Sequence, residues 1–239
     1  MRTDRLFQKH YFSQPWYVSG TLRFHEMIRA HSPENPSILE IGAGPKNTTS
    51  DFLASLGVVN GLDVDSDVLS NPALSHAEVF DGRQFPFPDC SFDLCVSNYV
   101  LEHVADCEMH FREVARVLRP GGFYFFRTPN LWHYVTFCSR VLPHALHLRL
   151  ANKLRGLKGA HDPYPTCYRA NSRAALVRLS AIAGLKPCRL DMIEPEPSYG
   201  RAHSLLFYVF MGYERLVNRF HGMSALRANI LGVLKKSAQ

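Results

Sequence analysis

The six cysteines, at 90, 95, 107, 138, 167 and 188, include no Cys-x-x-Cys pair. That spacing excludes a zinc ribbon and an iron–sulfur cluster, leaves no metal site to expect, and suits reduced thiols. Long apolar runs are also missing: the longest, Leu205 to Tyr213, is about half of the ~20 residues that a spanning helix requires. The opening Met1-Arg2-Thr3-Asp4-Arg5 leads into polar and aromatic sequence rather than a continuous apolar segment, which argues against a secretory signal. There is no internal repeat and no low-complexity segment. Nor does the positive charge concentrate in one run. A formal charge of +6 and a pI near 9.1 permit contact with nucleic acid, an anionic membrane or an acidic substrate, but the basic residues are mostly dispersed. These absences point to a cytoplasmic protein, soluble or at most peripherally attached to a membrane.

With 46% hydrophobic residues, a chain of 239 residues can bury one sizeable core, so one domain with attachments is expected. The most informative run is Ile38-Leu39-Glu40-Ile41-Gly42-Ala43-Gly44-Pro45, an apolar strand feeding a glycine turn where backbone can approach a ligand closely. Val58 to Asp63 reads as a second strand ending in an acid, near the roughly 20-residue spacing at which a carboxylate reaches a ribose hydroxyl. Strand and helix signals then alternate to Thr128, the pattern of a parallel sheet covered by helices. Strands are expected at 37–41, 58–63, 77–81, 91–97 and 123–127, with helices capped near Asn47 to Ser50 and at Asp106. In the latter helix Phe111, Val114, Ala115 and Leu118 share one face, and Glu108 and Arg112 can pair on the other.

Beyond Thr128-Pro129-Asn130 the pattern changes to mixed aromatic, histidine and basic residues through Arg169, which reads as a helical insertion or lid. Asn171 is expected to cap a helix ended by Gly184 and Pro187. A strand at 188–193, an apolar aromatic helix at 203–220 and a last strand at 229–234 follow. Phe207, Tyr208, Phe210, Met211 and Tyr213 surround that helix with apolar surface, which suggests burial, an apolar acceptor site or membrane contact, with burial the default for so short a segment. Arg149, Lys153, Arg155 and Lys158 form a basic stretch that could meet a phosphate or an anionic lipid but reads first as a solvated helix face.

Four landmarks in order, Glu40-Ile41-Gly42-Ala43-Gly44, Gly61-Leu62-Asp63, Asp81-Gly82 ahead of Phe85 to Asp93, and Leu118-Arg119-Pro120-Gly121-Gly122, resemble the class I S-adenosylmethionine-dependent methyltransferases. The resemblance runs from about Ser37 to Pro129. It implies an α/β fold: a doubly wound, mostly parallel, seven-stranded Rossmann-like sheet with a helical N-terminal cap and a lid after the fifth strand. The expected organisation is a cap over 1–36, a cofactor-binding core over 37–130, a lid over 131–170, and a C-terminal part over 171–239 that completes the sheet. The implied cofactor is S-adenosyl-L-methionine, with S-adenosyl-L-homocysteine as product. Carried over by position, Gly42, Ala43 and Gly44 admit its methionine part with Glu40 supporting the turn. Asp63 holds the ribose hydroxyls, Asp81 and Gly82 meet the adenine, Asn98 lies near the methionine portion, and Val64 is a further cofactor-binding residue. Lys46 stands where many family members have a third glycine. A nicotinamide dehydrogenase fares worse, because its pattern needs glycine at 47, where Asn47 stands.

A sulfonium-bound methyl is already electrophilic, so transfer needs positioning and exclusion of water more than a base. His103 is the candidate catalytic residue if the acceptor is a hydroxyl, with local packing as its alternative; Glu102 reads as structural. Tyr17, Tyr99, His133, Tyr134, His161, Tyr168 and Arg169 are the candidate pocket residues; the alternatives are a cap on the core for Tyr17, aromatic core under a lid for His133 and Tyr134, and a stiff connector covering the sheet edge for His161, Tyr168 and Arg169. The acceptor is expected to be a small molecule, with an apolar or lipid-like one included. Nucleic acid is disfavoured because Ser97-Asn98-Tyr99-Val100 lacks the Pro-Pro-aromatic sequence common in enzymes that methylate base amino groups. A protein acceptor and a catalytically silent cofactor-binding relative are the other readings.

Overall fold

The computed structural model describes residues 2–141, 164–201 and 203–238. His161 and the basic stretch Arg149, Lys153, Arg155 and Lys158 lie outside the described residues. The chain groups into two compact units. The first comprises Met1–Arg23, Pro129–Pro165 and Met192–Asn229, and the second Phe24–Thr128, Thr166–Asp191 and Ile230–Gln239.

The second unit is built on a seven-stranded sheet. Its strands are β1 (Ser37–Ile41), β2 (Val58–Asp63), β3 (His76–Val79), β4 (Phe92–Asn98), β5 (Leu118–Pro129), β6 (Leu185–Ile193) and β7 (Asn229–Lys236), in the spatial order β3-β2-β1-β4-β5-β7-β6. The pairs β1/β2, β1/β4, β2/β3 and β4/β5 are parallel, with Ile41 opposite Leu62 on one side and Ser97 on the other. Central strands are buried on both faces, which is why they read as near-continuous apolar runs: Ile38, Leu39, Leu94, Cys95 and Val96 are fully buried. The strand order reverses at β1, so the carboxyl ends of β1 and β4 form the switch point at which open α/β sheets place their ligands. The α/β, doubly wound class expected from the sequence is the class observed.

Helices enter where side chains can satisfy free amides. After α1 (Arg2–Phe7) and α2 (Gly20–Arg29), Asn47 caps α3 (Thr48–Ala54), accepting from the amides of Thr49 and Ser50, and Asp106 caps α4 (Cys107–Val117) through Met109. The helix expected to begin at Asn171 is instead capped by Ser172, whose hydroxyl accepts from Ala175, and spans Arg173–Ile182. Asn171 is drawn off because its Nδ2 donates to Thr128 Oγ1 at 2.7 Å. The expected Glu108–Arg112 pair is likewise replaced by a tertiary one, Arg178 Nη1 to Glu108 at 2.8 Å. Strand β3 ends at Val79, two residues short of the expected Asp81, and β5 starts early at Leu118 because its edge pairs with Phe92 before a register shift.

The Phe85 to Asp93 segment is held by α4. Arg116 donates to Glu113, to Asp89 and to the carbonyls of Phe85 and Phe87, while Glu113 accepts the Phe85 amide at 2.7 Å. One planar guanidinium thus satisfies three groups of a proline-containing loop and a carboxylate of its own helix.

In the first unit, α1 (Arg2–Phe7) and a π-helical turn (Gln8–Phe12) pack on the C-terminal helix Ser204–Arg219 through Phe7, Tyr11 and Phe207. Phe7 meets Phe207 edge-on at 5.0 Å, and the buried Tyr11 hydroxyl donates to Glu214 at 2.9 Å. A helix at Tyr134–Val141 opens the segment read as a lid. The expectation of a buried C-terminal aromatic helix is only half met: Phe207 is fully buried, whereas Leu205, Tyr208 and Val209 are exposed.

Candidate functional site

The glycine turn after β1 is constrained on every side. Gly42 has φ +70° and donates its amide to Leu62 O at 2.7 Å, and a Cβ there would overlap Val100 Cγ2. Gly44, φ +52°, donates its amide to Asp63 Oδ2 at 2.8 Å. Two glycines are therefore required for different reasons, close approach at 42 and a left-handed turn at both. Asp63 Oδ1 accepts the Asp65 amide at 3.0 Å, so the half-buried carboxylate ties together the turns after β1 and β2. Ala43 is buried and Val64 half exposed.

Below the turn, Asn47 stands where a dehydrogenase needs glycine, and its Nδ2 donates to Ala43 O at 2.7 Å and to Ser50 Oγ. Asn71 also donates to Ser50 Oγ, at 3.0 Å, which leaves the Ser50 hydroxyl hydrogen for Glu40. Glu40 is buried, and burial lifts its carboxyl to about 7; its Oε2 has no hydrogen-bond partner among the described residues. At the end of β4, Asn98 Nδ2 donates to Thr49 Oγ1 at 3.0 Å while its buried Oδ1 is likewise unpartnered. Buried acceptors left unsatisfied cost on the order of 1–3 kcal/mol each, so two of them flanking one turn call for a ligand donor. Asp81 is exposed beyond β3 and turns its own loop by accepting the Arg83 amide at 2.9 Å. A Cβ on Gly82 would meet Val64 Cγ1 at 3.6 Å, which sets the Asp81-Gly82 corner against Val64.

The segment after β4 carries the candidate catalytic residue. Tyr99 is in the left-handed region at φ +61°, an unfavourable conformation for an aromatic residue, and is held there by its amide bond to Arg127 O at 2.8 Å. The Arg127 guanidinium lies over the Tyr99 ring at 4.6 Å. His103 is half-buried in the next turn, its amide donating to Val100 O. Sixty-odd residues later the chain returns to this turn: the amides of Cys167 and Tyr168 donate to Glu102 O at 2.6 and 3.1 Å, and Arg169 Nη1 donates to Ala105 O at 2.7 Å. Tyr168, at φ +49°, is a second tyrosine in the left-handed region. The structure thus brings Tyr168 and Arg169 to the turn that carries His103, while Tyr99 is engaged by Arg127. Glu102 turns inward, where burial raises its carboxyl to about 7 and Thr128 Oγ1 donates to it at 3.2 Å.

Tyr17, His133 and Tyr134 belong to the first unit. Tyr17 donates its hydroxyl to Glu196, whose carboxyl burial pushes up. His133 is buried 3.5 Å from Glu194; burial lowers the imidazole to about 4 and raises Glu194 to about 8, favouring the neutral form of each. Tyr134 stacks on Phe210 at 5.3 Å.

Residues 39–126 match the family model of the methyltransferase domain. These residues are a methyltransferase domain, similar to those that depend on S-adenosylmethionine. A probable S-adenosylmethionine-dependent methyltransferase of Mycolicibacterium smegmatis is 34% identical over 117 residues, 45% of each chain. A malonyl-[acyl-carrier protein] O-methyltransferase of Erwinia billingiae is 32% identical over 99 residues, 40% of this chain and 39% of that protein. The chain spans less than half the length of these curated relatives. Over the whole fold, the crystal structure of a methyltransferase dependent on S-adenosylmethionine from Methanosarcina mazei aligns with a TM-score of 0.56 at 18% identity, covering 93% of this chain and 100% of that one.

The cofactor of such a methyltransferase domain is S-adenosyl-L-methionine, and the residues at the switch point fit it. Its amino group is a donor, and the two orphaned acceptors Glu40 Oε2 and Asn98 Oδ1 are both buried at strand ends beside a turn too tight for a Cβ. Sequence reading passed over Thr49, Ser50, Asn71 and Val100, which orient Asn98 and Glu40 and close over Gly42. The Asn47 cap signalled Thr49 and Ser50; nothing local signalled Asn71 or Val100.

Proposed function

We propose that this chain transfers a methyl group from S-adenosyl-L-methionine to a small-molecule acceptor. One arrangement carries the reading: at the ends of the neighbouring parallel strands β2, β1 and β4, Asp63, Glu40 and Asn98 surround the Gly42 to Gly44 turn, two of them with unpartnered buried oxygens. Gly42, Ala43 and Gly44 would admit the methionine part, and Glu40 and Asn98 would receive its ammonium. Asp63 would take the ribose hydroxyls, with Val64, Asp81 and Gly82 around the adenine. When bound, the cofactor supplies a methyl activated by a sulfonium. The protein's part is to hold the nucleophile in line and keep water out.

His103 is the candidate base for a hydroxyl acceptor, with Tyr99, Tyr168 and Arg169 as pocket candidates; a carboxylate or thiolate acceptor needs no base. Tyr17, His133 and Tyr134 are further pocket candidates. A relative named for O-methylation of malonyl-[acyl-carrier protein] supports a small acyl acceptor. Calorimetric titration with S-adenosylmethionine, followed by an acceptor panel read as S-adenosylhomocysteine release, tests the reading. Binding that weakens at least ~10-fold in Asn98→Ala is expected from loss of a hydrogen bond to a charged group. Absence of heat, or unchanged affinity in that variant, would overturn the cofactor assignment; tight binding without turnover on any acceptor would overturn the enzymatic one.

A further inference from the structure

The helix Ser204–Arg219 has apolar side chains on opposite faces, and only one face is covered. Phe207, Met211, Glu214 and Val217 turn inward, where Phe207 and Met211 join the Phe7 and Tyr11 cluster. Leu205, Tyr208, Val209 and Leu216 are 67, 47, 57 and 45% exposed. Their spacings of three, four and eleven residues from Leu205 put all four on a single stripe, with the exposed Gly212 between them. An apolar stripe on the solvent side of a helix marks an interaction surface rather than a core.

Charge identifies the occupant. Among the described residues, basic ones that look dispersed along the chain gather in the first unit, nine Lys and Arg against four Asp and Glu, while the second unit has fourteen against sixteen. Of those four acids, Glu194 and Glu214 are buried, so they do not offset the positive charge at the surface. Arg215 and Arg219 are exposed along one edge of the stripe, and Lys9 and Arg215 both bear electrostatically on His10, whose ring meets Tyr208 at 6.1 Å. No described helix is long and apolar enough to cross a membrane. A basic-edged, apolar-centred helix of this length suits one lying in the headgroup region.

We infer that the Leu205, Tyr208, Val209 and Leu216 face, with Lys9, Arg215 and Arg219 beside it, docks on an anionic lipid bilayer. A nucleic acid would match the charge but not the four apolar side chains at its centre. A second copy of this chain would match the stripe but would bring like charges together. The inference is independent of the methyl-transfer reading, because none of these residues belongs to the candidate cofactor site.

Co-sedimentation of the full chain with vesicles of phosphatidylcholine and phosphatidylglycerol, against phosphatidylcholine alone, tests it. Pelleting is expected with the anionic vesicles, weakened roughly tenfold or more in Arg215→Gln/Arg219→Gln and abolished in Val209→Glu. Both variants alter exposed positions and should keep the parent's circular dichroism, unfolding temperature and S-adenosylmethionine affinity. Absence of pelleting, or pelleting indifferent to either variant, would overturn the proposal. It would also be overturned by duplex RNA or DNA binding that outcompetes vesicles, or by a dimer in sedimentation velocity that Val209→Glu dissolves without any vesicle binding in the parent.

Discussion

Asp63 Oδ2 accepts the backbone amide of Gly44 at 2.8 Å, so the acid that closes β2 holds the turn that closes β1. Its other oxygen accepts the Asp65 amide, and each oxygen keeps a lone pair for a further donor. A single carboxylate therefore shapes the loop and stays available to a ligand, which ties stability and affinity together at this position.

Asp63→Ala should lower both. Hydrogen bonds to charged groups contribute about 1.5–3 kcal/mol, so S-adenosylmethionine affinity should fall by roughly 10- to 100-fold, with a lower unfolding temperature in the unliganded protein. Calorimetry paired with thermal unfolding checks this; loss of affinity at unchanged stability would mean that the Gly44 bond contributes nothing to the fold.

Gly42→Ala meets two obstacles, the φ of +70° and overlap with Val100 Cγ2. The left-handed conformation alone costs about 1–2 kcal/mol for an L-residue, and the overlap adds to it. In urea titrations the double variant Gly42→Ala/Val100→Ala should be more stable than the sum of the two single losses predicts, because removing Cγ2 relieves the overlap and leaves only the backbone term. Simple additivity would show that the two side chains do not meet.

Arg116→Ala should destabilise the second unit by roughly 2–4 kcal/mol, since it strands the largely buried Glu113 and two loop carbonyls at once. Arg116→Lys should recover less than half of the loss in denaturant melts, because an ammonium cannot reproduce the planar fork. Full recovery by lysine would make charge, not geometry, the reason for arginine.

Stability should fall on both sides of the mildly acidic range. His110 and His133 are lowered to about 4 by burial, so the unfolded chain takes up protons first and stability drops as pH falls from about 6.5 towards 4. Glu40 and Glu102 are raised to about 7 and Glu194 to about 8, so the folded state holds those protons more tightly. Their contribution is complete below about 4.5 and is lost as pH rises through 7 to 8. Between 4.5 and 6.5 the two groups oppose each other, leaving a descending limb from about 6.5 to 8 in unfolding temperature. Glu194→Gln should shallow that limb; an unchanged limb would remove Glu194 from its cause.

Much of this protein is written locally. Ser37–Ile41 and Val58–Asp63 are strands with the very bounds that their apolar runs predict, and Asn47 and Asp106 cap helices because their short polar side chains reach the amides two or three residues on. The order of glycine turn, acid, Asp-Gly and Pro-Gly-Gly identifies the methyltransferase core for the same reason: each landmark is a backbone demand that few residue types can meet. Boundaries moved where a distant partner outbid the local one, as Thr128 did for Asn171 and Arg178 for Glu108.

Tertiary structure alone decided the remainder. That Glu40 and Asn98 present orphaned oxygens to one turn, that Tyr168 and Arg169 come back to the His103 turn, and that Leu205 and Val209 face outward depend on contacts between residues far apart in sequence. The gathering of positive charge into the first unit is of the same kind, invisible in a chain where the basic residues are scattered. Backbone demands and caps act over a few residues and can be read in order, whereas burial, unsatisfied polarity and surface charge exist only once separate segments have packed.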